Sequence, residues 1–204
     1  GNVFNALTSA NTNDTLQQVQ EAVAPRLAAH RDAIFLNATL FQRIRSVHDR
    51  RATLGLDSLQ RFLVERYYRD FVRAGALLPD SDKTKLRALN QEQATLQTEF
   101  EQRLLAATKA GAIVVDDSTQ LDGLSPGEIG AAAQAAADRT LAGKWLLALR
   151  NTTQQPAQAS LRNRALRERL FRASTTRAMR GDSNDTRAII LRLAQLRPER
   201  ARLL

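Results

Sequence analysis

Two histidines, His30 and His48, are the only imidazoles in the 204 residues, and no cysteine accompanies them. Thiolate metal sites, disulfides and cysteine nucleophiles are therefore excluded. Each histidine is followed by a stretch, His30-Arg-Asp-Ala or His48-Asp-Arg-Arg, with no second histidine or glutamate at zinc-ligand spacing. Both are expected to be helix-surface or interface residues. A serine or threonine nucleophile would need a sharp Gly-x-Ser-x-Gly turn to present it, and the chain has none. Asp116, Asp117 and Asp122-Gly123 lack the alternating acids and closing glutamate of a calcium loop, so they predict a turn and a cap. The nine glycines are scattered and form no phosphate loop. Arg180-Gly181-Asp182 and the Asn-x-Thr triplets at Asn13, Asn37, Asn151 and Asn184 are short enough to recur by chance. The residues by themselves thus nominate no catalytic or metal-binding side chain, and the substrate-binding residues stay unknown.

The elements that would position any such chemistry read as mainly helical. Asn11 to Asp14 offer caps for a first helix through Leu16, Val19 and Val23; Pro25 either kinks it or opens a new one. The pattern resumes through Leu27, Ile34, Leu40, Phe41, Ile44 and Val47 and stops at Gly55. Asp57 and Gln60 have capping-box spacing, and Leu59, Leu63, Tyr67 and Phe71 then repeat every four residues. Beyond Gly75 and Pro79, a cap at Asp80 or Ser81 starts a long helix. Its positions Leu86, Leu89, Leu96, Phe100, Leu104 and Ala107 predict antiparallel packing against the preceding helix, with Gly111 as the stop.

Ala112–Val115 and Lys144–Leu149 predict two short strands that pair, the second closed by Asn151-Thr-Thr. Between them Ser125-Pro-Gly-Glu128 opens an alanine-rich helix to about Arg139. Pro156 restarts the helices. Leu166, Leu170 and Phe171 share one face, and after a break at Arg180 to Asp185 a second face appears at Ile189, Leu193 and Leu196, with Pro198 interrupting the last helix or starting another. The predicted architecture is a multi-helix module with long antiparallel helices and a small two-stranded β element. It reads as one region in three stretches: 1–111 long helices, 112–150 the β element with its helix, 151–204 arginine-rich helices. The opening at Gly1 without methionine and the uncapped end at Leu203-Leu204 read as cut ends of something longer.

The net charge of +9 is unevenly placed. Residues 1–138 carry 15 basic and 17 acidic side chains, residues 139–204 carry 15 and 4. A phosphate-binding surface is one reading of the basic end. Helical partners such as Arg164-Glu168-Arg172 at i, i+4 spacing, and acidic parts of a longer parent chain, explain the same count and are preferred. No apolar run approaches the ~18 residues of a membrane span.

Several ordered patterns extend this reading. They are Asn-Thr-x-Asp-x-Leu-Gln at Asn11 to Gln17, Ala-Pro-x-Leu-x-x-His at Ala24 to His30, Leu-Phe-x-Arg-Ile at Leu40 to Ile44, and Tyr-Tyr-x-x-Phe-Val-Arg-Ala-Gly at Tyr67 to Gly75. Leu121 to Ser125, Gly143 to Trp145, Asn151 to Pro156, Leu166 to Glu168, Asn184 to Arg187, Leu196-Arg197 and Ala201 to Leu204 continue the series. Together they resemble the N-terminal half of bacterial peptidyl-dipeptidases of the thimet oligopeptidase family of zinc metallopeptidases. The resemblance implies a parent enzyme that releases C-terminal dipeptides from short peptides with zinc held by a His-Glu-x-x-His helix and a later glutamate. None of those residues is present here, so the resemblance implies a catalytically silent region that helps wall the substrate channel. Its partners would be the short peptide substrates and the catalytic remainder of the same polypeptide, in a bacterial cytoplasm or periplasm, with no membrane contact. The competing expectation is a free-standing helical scaffold whose basic C-terminal helices contact nucleic acid or an acidic partner.

Overall fold

The computed structural model describes residues 2–204; Gly1, and with it the reading of the chain's first residue, lies outside the described residues. The chain divides into two compact units, one comprising the residues up to Glu99 together with Ile189–Leu204, the other Phe100–Ala188. The borders fall inside two helices, where nothing in composition marks them.

The first unit contains α1 (Asn2–Ala10), α2 (Asp14–Phe35), α3 (Ala38–Asp49), α4 (Ser58–Arg73), the opening turns of α5 (Asp80–Ala110) and nearly all of α9 (Arg187–Ala201). Helix α1 buries none of its described residues. Asn13 and Asn37 accept the amides of Leu16 and Leu40, each at 2.9 Å, and so cap α2 and α3. Two of the apparent glycosylation triplets are thus helix starts. The expected capping box of α4 is present in both directions: the Gln60 amide donates to Asp57 at 2.8 Å, and the Asp57 amide to the Gln60 side chain at 3.2 Å.

The first unit's core is aromatic. Phe41, Phe71 and Ala76 are buried, with Phe35, Leu40, Ile44, Tyr68 and Val72 packed around them. The Phe35 and Phe71 centroids lie 4.8 Å apart, and Tyr68 stacks on Phe41 at 5.7 Å. Helix α4 has its close neighbour in α3; α5, expected to take that place, is not paired with it at comparable range.

Three prolines lie inside helices: Pro25 in α2, where a kink or a new start was expected, Pro156 in α7 (Asn151–Ser160), where a restart was expected, and Pro198 in α9, where an interruption or a separate start was expected. A proline removes one hydrogen bond and crowds the carbonyl four residues back; anchoring on either side offsets this. In α9 the buried Ile189 and Leu196 precede Pro198, and Arg192 reaches across it to Glu199 at 2.8 Å. In α7 the buried Gln154 and Ala157 flank Pro156, so the helix begins at Asn151, where a strand-closing turn was expected. At α5 the cap position falls on Pro79, whose carbonyl takes the amides of Asp82 and Lys83 at 3.0 Å each, and not on Asp80 or Ser81.

The second unit is built on β1 (Ile113–Val115) and β2 (Trp145–Leu147), which pair antiparallel with Ile113 opposite Leu147 and Val115 opposite Trp145. A 3-10 turn at Ser118–Leu121, α6 (Pro126–Ala137), α7 and α8 (Arg164–Thr175) surround them. Asp117 caps the 3-10 turn through the Thr119 amide at 2.9 Å, the turn-and-cap role expected of the acidic cluster. Ser125 and Glu128 form the predicted capping box of α6, and Asn163 caps α8 through Leu166 at 3.0 Å. Val115, Leu121, Leu147, Leu149, Leu161, Leu166 and Leu170 form a continuous core exposed by 2% or less. Phe171, expected on the same buried face, is instead 55% exposed. It follows Leu170 by one residue, about 100° around the helix.

Gly123 fixes one corner of this unit. Its φ is +99°, and a Cβ there would lie 2.1 Å from the Ser160 carbonyl oxygen. The close approach lets Arg162 donate its amide to the Asp122 carbonyl at 2.8 Å, joining the 3-10 turn to the end of α7.

Candidate functional site

The two histidines are far apart in role. His30 is exposed on α2. His48, on α3, stacks on Tyr68 with centroids 3.9 Å apart, and its Nδ1 lies 3.3 Å from Asp49 Oδ1. Neither meets a second imidazole or a carboxylate pair, and the described residues contain no group of three or more His, Asp or Glu side chains that could hold a metal ion. Among the described residues the donor set does not fit a zinc centre.

The acidic and basic groups instead build local structure. Asp32, on α2, is almost fully buried; its Oδ1 accepts from Asn90 on α5 at 2.8 Å, while Oδ2 has no hydrogen-bond partner among the described residues. Burial pushes its carboxyl above the ordinary value of 3.8, against the Asn90 hydrogen bond and the charges of Arg87, Arg200 and Arg31. Asp185 goes the other way. Hydrogen bonds from the Arg187 guanidinium, and from the amides of Arg187 and Gly181, hold it well below that value.

In the first unit Arg192 lies between two carboxylates, 2.6 Å from Glu92 and 2.8 Å from Glu199, so α9 is tied both to α5 and to its own last turn. The Glu92 pKa is lowered chiefly by that hydrogen bond, and the Arg192 pKa is raised by the same contacts. Many arginines that gave the last third its excess charge are spent in the same manner. Arg172 donates twice to Glu168, at 2.7 and 2.9 Å, the expected i, i+4 pair. Arg177 donates to the Leu149 carbonyl at 2.9 Å, Arg167 to the carbonyls of Leu161 and Arg162, and Arg162 lies 3.5 Å from Asp122.

The second unit also carries a cavity of about 590 Å³, floored by Leu124, Ala132 and Leu147 and rimmed by Lys109, Asp138 and Arg150. Among its lining groups Glu128 has a lowered pKa because Ser125 donates to it through hydroxyl and amide, which is the α6 cap and not a reacting pair.

The feature that the residue pattern misread is on α4. Leu59, Leu63 and Tyr67, placed four apart as though facing a core, are 78%, 51% and 52% exposed, and Phe62 beside them is 56% exposed. The buried side of α4 is the opposite one, carrying Val64, Tyr68, Phe71 and Val72. A second apolar series at 64, 68 and 72 was the signal available in the sequence.

No family profile matches the chain. It is 52% identical over 202 residues to the dipeptidyl carboxypeptidase of Escherichia coli K12 and 51% identical to that of Salmonella typhimurium, in each case over 99% of this chain. It is also 28% identical over 208 residues to a probable cytosolic oligopeptidase A of Arabidopsis thaliana. The chain spans about 30% of the length of each of these relatives. Along nearly its whole length, then, the chain is homologous to one region of the bacterial dipeptidyl carboxypeptidases and, more distantly, of the oligopeptidases A.

Proposed function

We propose that this chain is the non-catalytic N-terminal region of a zinc-dependent peptidyl-dipeptidase, an enzyme releasing dipeptides from the C-termini of short peptides, and that its helices help wall the substrate channel. The observation that carries this is the 52% identity sustained over 99% of the chain to a dipeptidyl carboxypeptidase. The absence of a His-Glu-x-x-His sequence from the chain accords with chemistry supplied by the remainder of the parent, where two histidines one helical turn apart would bind zinc and the glutamate would activate water. In this reading the role of the chain's own residues is mechanical: ion pairs such as Arg192 with Glu92 and Glu199 hold long helices in a fixed relation.

The test is direct. The full-length polypeptide should release C-terminal dipeptides from short peptides, lose that activity to a chelator and regain it with zinc, while residues 1–204 alone release none. Turnover by the pure 204-residue chain, or full-length activity indifferent to chelation, would overturn the proposal. The nucleic-acid alternative predicts binding that weakens steeply with salt. It draws on guanidinium groups that are largely committed to internal carboxylates and carbonyls, so it is the weaker reading.

A further inference from the structure

Helix α4 is apolar on two opposite sides, and only one of them is covered. Around the helix at 100° per residue, Val64, Tyr68, Phe71 and Val72 cluster on the buried side, whereas Leu59, Phe62, Leu63 and Tyr67 span the outward side with Arg66, Arg69, Asp70 and Arg73 among them. Single exposed apolar residues need no explanation; four adjacent ones within three turns form a contiguous patch, the kind that marks an interaction surface. The cap at Asp57 and Gln60 fixes where the helix starts, so the patch is held rigid for a partner. Its charge is one-sided. Arg66 is matched by Asp70 at 3.7 Å, but Arg69 and Arg73 have no acidic partner among the described residues.

We infer that this outward face of α4 is the docking site for an apolar, carboxylate-bearing segment of the parent polypeptide lying outside residues 1–204. The inference rests on the reading of the chain as part of a longer peptidase. A second copy fits poorly for two reasons. A stable dimer buries roughly 800 Å² per partner, more than four side chains on one helix supply. Two copies would also bring Arg69 and Arg73 against their like in a chain of net charge +9. A segment of the same polypeptide needs less area, because tethering replaces a bimolecular association with an intramolecular one. The relatives supply such chain, since about 70% of their length has no counterpart here.

The test uses the full-length protein with Leu63→Cys, a change that leaves the packed side of α4 at Tyr68, Phe71 and Val72 untouched, and the unsubstituted protein as background. Residues 1–204 contain no cysteine to confuse the readout. A maleimide should modify the introduced thiol at least about tenfold more slowly in the native protein than in denaturant, and equally slowly at all protein concentrations. Adding Arg69→Glu and Arg73→Glu should speed the reaction in the native protein. Labelling at the unfolded rate, protection that disappears on dilution to monomer, or protection indifferent to the two charge reversals would each overturn the proposal. Dipeptide release by the same preparation is measured alongside. A protein that releases none refutes the peptidase reading whatever the labelling shows, and an active protein with an unprotected thiol refutes the docking site alone.

Discussion

Helices α4 and α8 look alike in sequence and end differently. Both begin behind an Asp or Asn cap, both alternate leucine with arginine, and both place an aromatic residue next to a leucine. In α8 the leucines of the repeat, Leu166 and Leu170, are exposed by 1% or less and belong to the core around the two strands. In α4 the corresponding Leu59 and Leu63 face outward, and the burial falls on the tyrosine and phenylalanine side. Periodicity reports that a helix has an apolar stripe. Which stripe is buried depends on what surrounds it, and α4 has two to choose from.

The sharpest way to break this comparison is to truncate matched leucines. Leu170→Ala is expected to cost about 2–5 kcal/mol, because it opens a cavity in a buried core, whereas Leu63→Ala should fall within about 0.5 kcal/mol. Urea unfolding of the 204-residue chain measures both, and equal costs would show that α4's outward face is covered after all.

Glycines extend the contrast to loops. Gly123→Ala combines a positive φ with a carbonyl 2.1 Å from the new methyl group, so its cost should exceed the about 1–2 kcal/mol of a left-handed residue alone. Gly55→Ala, with φ +63° and nothing within 4 Å, should cost no more than that. Thermal melting of the two variants should separate them clearly; similar melting temperatures would mean that Ser160 gives way.

The caps are where the two helices should behave alike. Asp57→Ala and Asn163→Ala are each expected to lose about 1 kcal/mol, since each removes an acceptor for one orphan amide. A large difference between them would mean that neighbouring contacts, and not the cap, set the value.

The smallest effects concern pH, and two carboxylates pull in opposite directions. The Asp32 pKa is raised in the fold, so its favourable contribution is present below the ordinary 3.8 and is lost as pH rises through the elevated value. The Asp185 pKa is lowered, so its contribution is present above 3.8 and is lost as pH falls through the depressed value. Asp32→Asn should therefore flatten the loss of stability on the alkaline side of that value, and Asp185→Asn the loss on the acid side. Denaturation midpoints across about pH 3 to 7 measure both slopes; identical profiles for the two variants would contradict the assignment.

Much of the fold was legible because its signals are local. The boxes Asp57 with Gln60 and Ser125 with Glu128, the cap Asn13, and the two β-branched or leucine-rich runs each act within a few residues, and each appears where the sequence places it. The ordered patterns that resemble peptidyl-dipeptidases are local too, and the identity to dipeptidyl carboxypeptidases agrees with them. Tertiary structure decided what depends on neighbours distant in sequence. It carried Pro25, Pro156 and Pro198 through continuous helices, because contacts such as Arg192 with Glu199 hold both sides of the missing hydrogen bond. It buried Asp32 against Asn90, 58 residues away, and turned Leu59, Leu63 and Tyr67 outward. Chain-local energies of a cap or a turn can be read from a few letters; burial is a property of the whole packing, and only the folded chain determines which of two apolar faces leaves water.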